Sequence, residues 1–562
     1  MHELFEKLGI RHDYQNVSSW VRPDRPWLKW MREKKMPLSI QYPEIPFYKF
    51  LDIPAELFPN NVAINFVPKD IKYTYRELKY FSDQIAAGLH ALGVKKGDII
   101  AIMTVNCPEF ITCTFGILKV GAIFSPLNPL LAPKDIEYII NDAENIHSLI
   151  IHENLYSQFE KIKDNVELKN IIIIGTKKIP DTILLDDLLK KSHRPPPPIE
   201  INPKEDLAAL MYTGGTTGLP KGVMITHYNL GSNTSLVSAD PDMNTRVGKS
   251  SSLIALPICH AFGLIMIAIM ICSANMIVLF DKFDVKAILK AIDLYKVRTF
   301  VGIPTMYQML LSHPEIEKYD LSSLEVCGSG SFPLSSELAE KWKSLTGVDC
   351  FIAYGLTETS AATHISYWVP HKDLSIGIPV CDTDVKIIDP ITHEELGPNQ
   401  VGEMVIKGPQ VMKGYWKRPE LTQRVLKDGW LHTGDLAKYD EDGYFYIIGR
   451  QSDTIKYKGY KVFPKEIEDV LYSHPAVAEC TAFGIPDPKL GQQIVAYVVL
   501  KRKQKVTADE LIAYCKERMA PYKYPRIIRI QRVIPKTPVG KVNKKVIVQK
   551  ELKRKRKGNS FD

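Results

Sequence analysis

A loop rich in glycine and threonine joins two short apolar runs near the middle of the chain. It reads Tyr212-Thr213-Gly214-Gly215-Thr216-Thr217-Gly218-Leu219-Pro220-Lys221-Gly222, between the runs Leu207–Met211 and Val223–Thr226. Both runs have the length and composition of buried strands. Closely spaced glycines let backbone N–H groups surround one anion, and threonine hydroxyls and a lysine add donors and positive charge. The sequence therefore predicts a polyphosphate site carried between two strands.

This loop differs from the P-loop, in which Gly-Lys-Ser/Thr leads into a helix. Here Pro220 precedes the lysine, Gly222 follows it, and a strand is predicted next. A flexible surface loop is the alternative interpretation. Such a loop would be rich in glycine and serine, and it does not explain three threonines and a Pro-Lys-Gly ending.

The chain of 562 residues is too long for one compact core, so two or more domains are expected. From Val62 onward, predicted strands and helices alternate: a helix over Asp83–Leu92, a strand over Ile99–Thr104 and a helix over Glu109–Val120. This alternation predicts a largely parallel sheet covered by helices. Residues Met1–Pro54, with several Trp and Pro, are interpreted as an N-terminal extension packed on the body.

The charge changes sign along the chain. From Arg450 to Asp562 there are 26 Lys and Arg against 11 Asp and Glu, a net charge of +15, whereas the whole chain carries +8. We therefore predict a large domain over residues 1–451 and a small one over 452–562 that meets a phosphate-rich partner. The basic run Lys553–Lys557 is interpreted as a solvated tail, with a peripheral membrane contact as the alternative. The chain lacks the basic, aromatic-interleaved surface that is typical of nucleic-acid binding.

Three features indicate a cytoplasmic protein without a membrane span. Residues Met1–Arg11 are charged throughout and lack the apolar core of a signal peptide. Leu253–Phe280 has no Asp, Glu, Lys or Arg, but its purely aliphatic part, Leu264–Cys272, is too short to cross a bilayer, so a buried helix followed by a buried strand is predicted. The nine cysteines are scattered without a C-x-x-C pair, which favours reduced thiols over disulfides or a zinc site.

Four further segments carry side chains with chemistry. His260 stands in Pro257–Gly263 beside an apolar run, and Cys327–Leu334 is a loop of small residues against which a flat group could lie. Tyr354–Thr359 combines an aromatic ring, hydroxyls and a carboxylate, which suit adenine stacking and Mg²⁺ binding. Thr433–Asp435 offers a carboxylate to a ribose diol. Taken singly these are weak signals, because a histidine beside a helix is more often structural and the other segments resemble ordinary turns.

Together, the segments resemble the adenylate-forming superfamily, which includes acyl-CoA synthetases, aryl-CoA ligases, firefly luciferase and the adenylation domains of peptide synthetases. The resemblance runs from about Val62 to Lys545 and rests on six segments in the family's order: Thr213–Gly222, Pro257–Gly263, Tyr354–Thr359, Thr433–Asp435, Gly449–Glu468 and Pro535–Lys541. It implies an α/β fold, in which a large N-terminal domain of helix-covered mixed or parallel sheets with a small β-barrel-like part precedes a small, mobile α+β domain. Within the superfamily the chain is most similar to medium- or long-chain fatty acid–CoA ligases.

The resemblance also implies a two-step reaction that uses ATP, Mg²⁺ and coenzyme A. A carboxylate attacks the α-phosphate of ATP to give an acyl-adenylate and pyrophosphate, and a thiol then displaces AMP. A free carboxylate acylates poorly because its leaving group would be oxide, whereas AMP leaves readily. Charge that develops between two anions calls for preplaced donors, a lysine and Mg²⁺.

The site residues implied by the resemblance fall into four groups. The phosphate group comprises Thr213, Gly214, Gly215, Thr216, Thr217, Gly218 and Lys221. The nucleotide group comprises Gly330, Ser331, Phe332, Tyr354, Gly355, Asp435 and Arg450. The catalytic group comprises Lys541, which would bridge carboxylate and ribose-phosphate oxygens, His260, which would gate the second step, Thr357, and Glu358, which would hold Mg²⁺. The thioester group comprises Lys456, Lys458 and Gly459 beside a hinge at Ser452.

Two positions depart from the superfamily pattern. Ser452 stands at the hinge where relatives have Asp or Lys, and Ser331-Phe332 stands where relatives mostly have smaller residues beside the adenine. A serine still allows backbone rotation at the hinge.

The acyl pocket is expected around Phe262, Gly263, Gly355 and Ala362, with Leu264–Cys272 as one wall. No Asp lies near His260 to pair with an α-ammonium, and a buried unpaired ammonium is costly, so an amino-acid substrate is disfavoured. We expect a medium- or long-chain fatty acid. An aryl or short hydroxy acid, a luciferase-like oxygenase and a stand-alone adenylation enzyme that loads a carrier protein stay open, as do a monomer and a homodimer.

Overall fold

The computed structural model describes residues 2–190, 195–213, 219–240, 242, 245–331, 334–502, 504–536 and 542–556. The helices in this part of the chain are α1 Glu3–Lys7, α2 Leu28–Glu33, α3 Lys49–Leu57, α4 Tyr75–Ala91, α5 Pro108–Lys119, α6 Pro133–Ala143, α7 Tyr156–Phe159, α8 Leu185–Lys190, α9 His227–Ser235, α10 Ala261–Cys272, α11 Val285–Tyr295, α12 Pro304–Leu311, α13 Ser336–Thr346, α14 Pro419–Val425, α15 Pro464–Tyr472, α16 Ala508–Arg518 and α17 Lys544–Arg556.

The strands are β1 Arg11–Asp13, β2 Ser39–Gln41, β3 Val62–Phe66, β4 Ile71–Thr74, β5 Ile99–Met103, β6 Ile123–Leu127, β7 Ile146–His152, β8 Asn170–Ile174, β9 Ile183–Leu184, β10 Leu207–Thr213, β11 Lys221–Thr226, β12 Ser251–Ile254, β13 Met276–Leu279, β14 Thr299–Gly302, β15 Val326–Gly330, β16 Cys350–Leu356, β17 Ala361–Ile365, β18 Ile378–Pro379, β19 Asp384–Ile388, β20 Gly402–Lys407, β21 Gly414–Tyr415, β22 Leu426–Lys427, β23 Trp430–Tyr439, β24 Phe445–Arg450, β25 Ile455–Tyr457, β26 Tyr460–Val462, β27 Val477–Asp487, β28 Gly491–Leu500 and β29 Ile527–Ile530. The elements expected over Asp83–Leu92, Ile99–Thr104 and Glu109–Val120 are confirmed as α4, β5 and α5.

Two mixed sheets form the larger part of the molecule. The first has eight strands in the order β21-β11-β10-β6-β5-β7-β8-β9, and the second has nine in the order β18-β17-β16-β15-β14-β12-β13-β3-β4. In both sheets the central strands are parallel. The first sheet is antiparallel at one end, at β10–β11, and the second at both ends, at β16–β17 and β3–β4. The central strands are largely buried because helices cover both faces of such a sheet, and in the first sheet β5 and β8 consist mostly of Ile. The α/β class is confirmed.

The apolar stretch Leu253–Phe280 runs through the second sheet. It contributes the end of β12, the buried helix α10 and the buried strand β13, as the sequence predicts. None of the helices in the described part of the chain combines the length and the apolar character that crossing a bilayer requires.

A third sheet has five strands, and the expected small β-barrel-like part stays a prediction. Its strands β19, β20, β22, β23 and β24 are all antiparallel, with β20 and β23 at the centre. The N-terminal segment packs on it: Arg25, which is 6% exposed, pairs with Asp384 at 2.6 Å and with Glu395 at 2.6 Å. The indole N–H of Trp20 donates to the Asp382 carbonyl.

The C-terminal part forms a sheet of its own in the order β26-β25-β28-β27, with β29 parallel to β28. Its apolar side chains form two clusters, around Ile467 and Ile494 and around Ile485 and Tyr497. Among the described residues, neither cluster includes a residue before Ile455. The boundary at residues 451 and 452 stays a prediction.

Candidate active site

The two strands that flank the predicted phosphate loop are paired with each other. The two strands expected from the apolar runs are confirmed as β10 and β11. They pair antiparallel, and Thr213 and Lys221 stand opposite each other where the strands part. The structure therefore brings the first threonine and the lysine of the predicted set together. Gly214, Gly215, Thr216, Thr217 and Gly218 lie outside the described residues.

A buried carboxylate that the sequence analysis did not identify is hydrogen-bonded next to the end of β10. Asp142, at the end of α6, has a side chain that is 8% exposed and accepts hydrogen bonds from Tyr212 at 2.9 Å and Tyr138 at 3.2 Å. Arg418 pairs with the same carboxylate. Burial, and then the charge of Asp142, raise the pKa of Tyr212. Asp142 thus binds both the residue before Thr213 and the segment that follows β21.

We expect Asp142→Ala to weaken both folding and ATP binding, because it leaves a part-buried hydroxyl and a guanidinium without their acceptor. The free energy of unfolding should fall by about 2 kcal/mol, measured by urea denaturation, and the KM for ATP should rise several-fold. Glu144→Ala is the matched control, since its carboxylate is 63% exposed and, among the described residues, pairs with Lys417 alone. It should change stability by less than about 0.5 kcal/mol. Equal effects of the two variants would contradict the role given to Asp142.

Lys221 and Glu358 both contact one tyrosine, Tyr415. The Lys221 Nζ is 5.4 Å from the centroid of the Tyr415 ring, and the Tyr415 hydroxyl donates to Glu358 Oε1 at 2.8 Å. Burial, and then the charge of Glu358, raise the pKa of Tyr415, so its hydroxyl stays a donor. The structure thus links a residue of the predicted phosphate set with the predicted metal ligand. Nothing in the sequence singles out Tyr415, which is part of an ordinary Gly-Tyr pair.

The loop that carries Thr357 and Glu358 is held in an uncommon backbone conformation. It forms the 3₁₀ turn Thr357–Thr359, followed by positive φ angles of 55° at Ser360 and 123° at Ala361. A Cβ on Gly355 would stand 1.4 Å from the Ala361 carbonyl oxygen. The absence of a side chain at Gly355, interpreted from the sequence as room for the acid, is therefore required by this close backbone approach.

Tyr354, Asp435 and Arg450 form a cluster behind this loop. Asp435 is 4% exposed; its Oδ2 accepts from the Tyr354 hydroxyl and its Oδ1 pairs with Arg450 Nε at 2.6 Å. Burial, and then the Asp435 charge, raise the pKa of Tyr354 well above its usual value. Burial by itself lowers the pKa of Arg450, but the acidic groups around it, Asp435 first among them, together outweigh burial and the net shift of the pKa is upward. The structure therefore joins three predicted nucleotide residues from separate segments.

The helix start that carries His260 lies beside Gly330. The loop predicted over Cys327–Leu334 is wrong for its first four residues, which belong to strand β15. His260 is the N-cap residue of α10, and its Nε2 is 3.2 Å from the Asn128 side-chain amide, a neighbour that the sequence analysis missed. A Cβ on Gly330 would stand 2.9 Å from the Phe262 ring. The next residue, Ser331, is exposed with φ of 66°. Phe332 lies outside the described residues.

The predicted acyl wall has two opposite faces. Leu264, Ile267 and Ala268 face an apolar pocket whose other lining residues include Phe110 and Phe115 of α5. Gly263 packs against the Pro257 carbonyl, with only 2.3 Å between that oxygen and a Cβ at this position. The helix is apolar throughout, yet one stripe of it is only half-buried. This α10 stripe consists of Phe262, Met266 and Ile269.

The predicted thioester segment is a tight turn. Lys456 is exposed on β25, and Lys458 and Gly459 have φ angles of 50° and 84°, as the two central residues of a type I′ hairpin require. Ser452 is exposed in the 3₁₀ turn Gln451–Asp453.

The segment that contains Lys541 lies outside the described residues. The chain on either side of it is joined by a bridge between Lys536 and Val542 and by a hydrogen bond from the Asn543 N–H to the Pro535 carbonyl. Lys544 pairs with Asp453 at 2.7 Å. The ends of this segment are therefore fixed next to the predicted hinge.

Comparison with known families gives two matches. Residues 51–416 match the model described as AMP-binding enzyme, and residues 466–541 match the model described as AMP-binding enzyme C-terminal domain. The first match alone covers more than half of the chain.

Three known proteins illustrate the similarity. The chain is 36% identical over 560 residues to a long-chain-fatty-acid–CoA ligase of Bacillus subtilis (strain 168), covering 94% of this chain and 99% of that protein. It is 34% identical over 475 residues to a feruloyl-CoA synthase of Amycolatopsis sp, covering 84% and 92%. Among solved structures, O-succinylbenzoate coenzyme A synthetase of Bacillus subtilis in complex with ATP and magnesium ion matches with a TM-score of 0.76 at 30% identity, covering 90% and 99%.

Proposed function

The chain belongs to the AMP-binding enzyme family, and from this premise we propose that it ligates a medium- or long-chain fatty acid to coenzyme A. The reaction class is an acid–thiol ligase that forms AMP, with ATP, Mg²⁺ and coenzyme A as its other reactants. The carboxylate attacks the α-phosphorus of ATP, the bond to pyrophosphate breaks, and the thiol of coenzyme A then displaces AMP from the acyl carbon.

The observation that carries the assignment is the convergence of two clusters on one loop. Tyr354 enters the loop and belongs to the cluster with Asp435 and Arg450, whereas Glu358 leaves it and belongs to the cluster with Tyr415 and Lys221. The first cluster has the chemistry of a nucleoside site and the second that of a polyphosphate site. Three residues of chain lie between Tyr354 and Glu358, so one short segment carries a residue of each cluster.

In the nucleoside site we propose that the adenine lies against Tyr354 and that the ribose hydroxyls donate hydrogen bonds to Asp435. Carboxylate oxygens accept more than one hydrogen bond each, so the Arg450 and Tyr354 donors can orient the carboxylate while the ribose binds. Gly330, Ser331 and Gly355 would complete the nucleotide contacts, together with Phe332.

In the polyphosphate site Thr213 and Lys221, with Gly214–Gly218 between them, would hold the phosphates, and Thr357 would reach the α-phosphate. Mg²⁺ prefers oxygen ligands and commonly takes one or two carboxylates together with substrate phosphates. Glu358 fits this requirement, because its Oε2 accepts no hydrogen bond from the described residues while Oε1 is held by Tyr415. The ion would neutralise charge on the departing pyrophosphate.

Lys541 would approach the α-phosphate in the first step, and the turn of Lys456, Lys458 and Gly459 would replace it in the second. A rotation of residues 452–562 about Ser452, relative to residues 1–451, would remove Lys541 from the site and bring the turn into it. His260, held by Asn128, would lie at the carboxylate between the two steps.

The acyl chain is assigned to the α10 stripe. Phe262, the first residue of the stripe, packs against Gly330 of the predicted nucleotide group. Helix α10 also packs against β17, which carries Ala362. Side chains half-exposed on a helix without a charged residue suit an apolar ligand better than water. The similarity to long-chain-fatty-acid–CoA ligases supports a fatty acid, and the similarity to a feruloyl-CoA synthase supports an aryl acid as the alternative.

We expect the stripe to set the preferred chain length. With a panel of straight-chain acids, Met266→Trp should shift the optimum of kcat/KM to shorter acids and Met266→Ala to longer ones. Each methylene that no longer fits should cost about fourfold in kcat/KM, the equivalent of about 0.8 kcal/mol. Release of AMP with and without coenzyme A is the measurement. A preference for aryl or amino acids, or an optimum that neither variant moves, would contradict the assignment.

We propose a cytoplasmic location. All nine cysteines are free thiols and buried, which suits a reducing compartment.

A further inference from the structure

Tyr415 contacts two residues on which the proposed function depends, Lys221 and Glu358. We propose that it is a positioning residue, which keeps these two side chains apart and orients Glu358 toward Mg²⁺. The inference rests on the proposed function. It adds a residue that the sequence analysis did not identify, and it explains how a cation and an anion coexist in the polyphosphate site.

The hydroxyl of Tyr415 fixes one oxygen of Glu358. The O–H donates to Oε1 at 2.8 Å, and hydrogen bonds to a carboxylate are stronger than those between neutral groups. Rotation about the last torsion of a glutamate is otherwise broad, so this bond selects one orientation of the carboxylate. The second oxygen, Oε2, accepts no hydrogen bond from the described residues, which leaves it for an ion in the proposed site.

The two charged groups contact different parts of Tyr415: Lys221 the face of the ring and Glu358 the hydroxyl. Lys221 lies 5.4 Å from the ring centroid, a distance at which a cation is attracted to the aromatic face. In the described structure Lys221 and Glu358 form no ion pair with each other, although both lie on this tyrosine. A direct pair would neutralise the two groups that have to meet a phosphate and Mg²⁺ separately.

The backbone of Tyr415 is fixed to both partners. β21 pairs with β11, the strand that begins at Lys221, and the flanking Trp416 N–H donates to the Gly222 carbonyl at 2.8 Å. On the other side, the Met412 N–H donates to the Glu358 carbonyl at 2.8 Å. The backbone around Tyr415 is therefore hydrogen-bonded to the backbone of both segments that carry its partners.

Helix α9 also makes hydrogen bonds to the segment before Tyr415 and to the segment after Glu358. The Asn229 side-chain amide donates to the carbonyls of Pro409 and Val411, and the Asn233 amide donates to the Ala362 carbonyl at 2.8 Å. These bonds hold the positive-φ backbone at Ser360 and Ala361 in place. Strained backbone maintained by several independent contacts is typical of a preorganised site.

The test separates the hydroxyl from the ring. Tyr415→Phe removes only the hydroxyl, and we expect the Mg²⁺ concentration for half-maximal ATP–pyrophosphate exchange to rise about tenfold, the effect of losing one hydrogen bond to a charged group. Calorimetric binding of Mg·ATP should weaken by the same factor, whereas binding of ATP in EDTA should change little. Tyr415→Leu also removes the spacer, so ATP binding in EDTA should weaken as well.

Tyr446→Phe is the matched control. Its hydroxyl also donates to a carboxylate, Asp440 Oδ2, at 3.0 Å and is part-buried, but it lies outside the proposed site. It should leave the Mg²⁺ requirement unchanged. Thermal unfolding of each variant checks the fold.

Two outcomes for Tyr415→Phe would overturn the inference. One is an unchanged Mg²⁺ requirement. The other is an equal weakening of ATP binding with and without Mg²⁺, which would make Tyr415 a packing residue only. Failure of the unsubstituted protein to bind Mg·ATP would instead contradict the proposed function.

Discussion

Replacement of Lys541 by alanine is expected to abolish acid-dependent ATP–pyrophosphate exchange. In the proposed mechanism this lysine lies between the attacking carboxylate and the α-phosphate, where two anions approach each other. Removing one preplaced donor from such a site costs about 10²–10³-fold in rate, and the loss of a full positive charge should reach at least the upper end of that range. The measurement is exchange of labelled pyrophosphate into ATP in the presence of a saturating fatty acid.

The Lys541→Ala experiment includes an internal comparison. Transfer of the acyl group from a preformed acyl-adenylate to coenzyme A does not use this lysine in the proposed mechanism. The rate of that half-reaction should therefore stay within about threefold of the rate of the unsubstituted protein, a change in activation free energy of less than ~1.4 kcal/mol. Lys545→Ala, an exposed lysine of α17 four residues away, is the matched control and should change neither step. Full exchange by Lys541→Ala would remove Lys541 from the mechanism.

Much of the fold follows from local patterns in the sequence. Apolar runs with the strand or helix period, such as those at Ile99 and Pro108, are long enough to be identified because burial on both faces of a parallel sheet leaves them almost wholly apolar. The interruption of Leu253–Phe280 by His260 and Asn275 likewise distinguished a buried helix and strand from a membrane span. Strand order could not be predicted this way, because it depends on contacts between distant segments.

The candidate site could be predicted only where a residue type has distinctive chemistry within a recognisable segment. Tyr354, Asp435 and Arg450 were identified from three separate segments, and the structure brings them together. Asp142, Asn128 and Tyr415 were missed, since each stands in an ordinary stretch of sequence and gains its importance from a partner elsewhere in the chain: Tyr212, His260 and Glu358, respectively.

Gly355 illustrates a different limit. Its small size was noted from the sequence, but the cause is the Ala361 carbonyl that packs against it, and a single sequence does not reveal which atoms approach a glycine. The same holds for the two faces of α10, which are equally apolar in sequence and differ only in what covers them.

Ser452→Pro is expected to separate the two half-reactions in the opposite sense from Lys541→Ala. Proline fixes φ near −65° and restricts the preceding residue, here Gln451, so the backbone can no longer rotate at the proposed hinge. Ser452 is the middle residue of the 3₁₀ turn Gln451–Asp453, where φ is in the range that proline adopts, so the substitution should require only a local adjustment at Gln451. Exchange of pyrophosphate should then persist, while transfer from acyl-adenylate to coenzyme A should fall by about 100-fold or more, because the thioester segment is misplaced.

The contacts on the far side of the hinge explain why rotation at this one residue would move the whole small domain. Asp453 follows Ser452 directly and pairs with Lys544, which lies just after the segment of Lys541. The hinge end of the small domain is thereby joined to its catalytic end, and a change of backbone angle at Ser452 displaces Lys541 and the turn of Lys456 to Gly459 together. Ser452→Ala, which keeps backbone rotation, is the matched control and should leave both steps intact. If Ser452→Pro supports thioester formation at the normal rate, the pivot lies elsewhere in the chain; if it loses both steps, the trapped conformation is not the one that forms the adenylate.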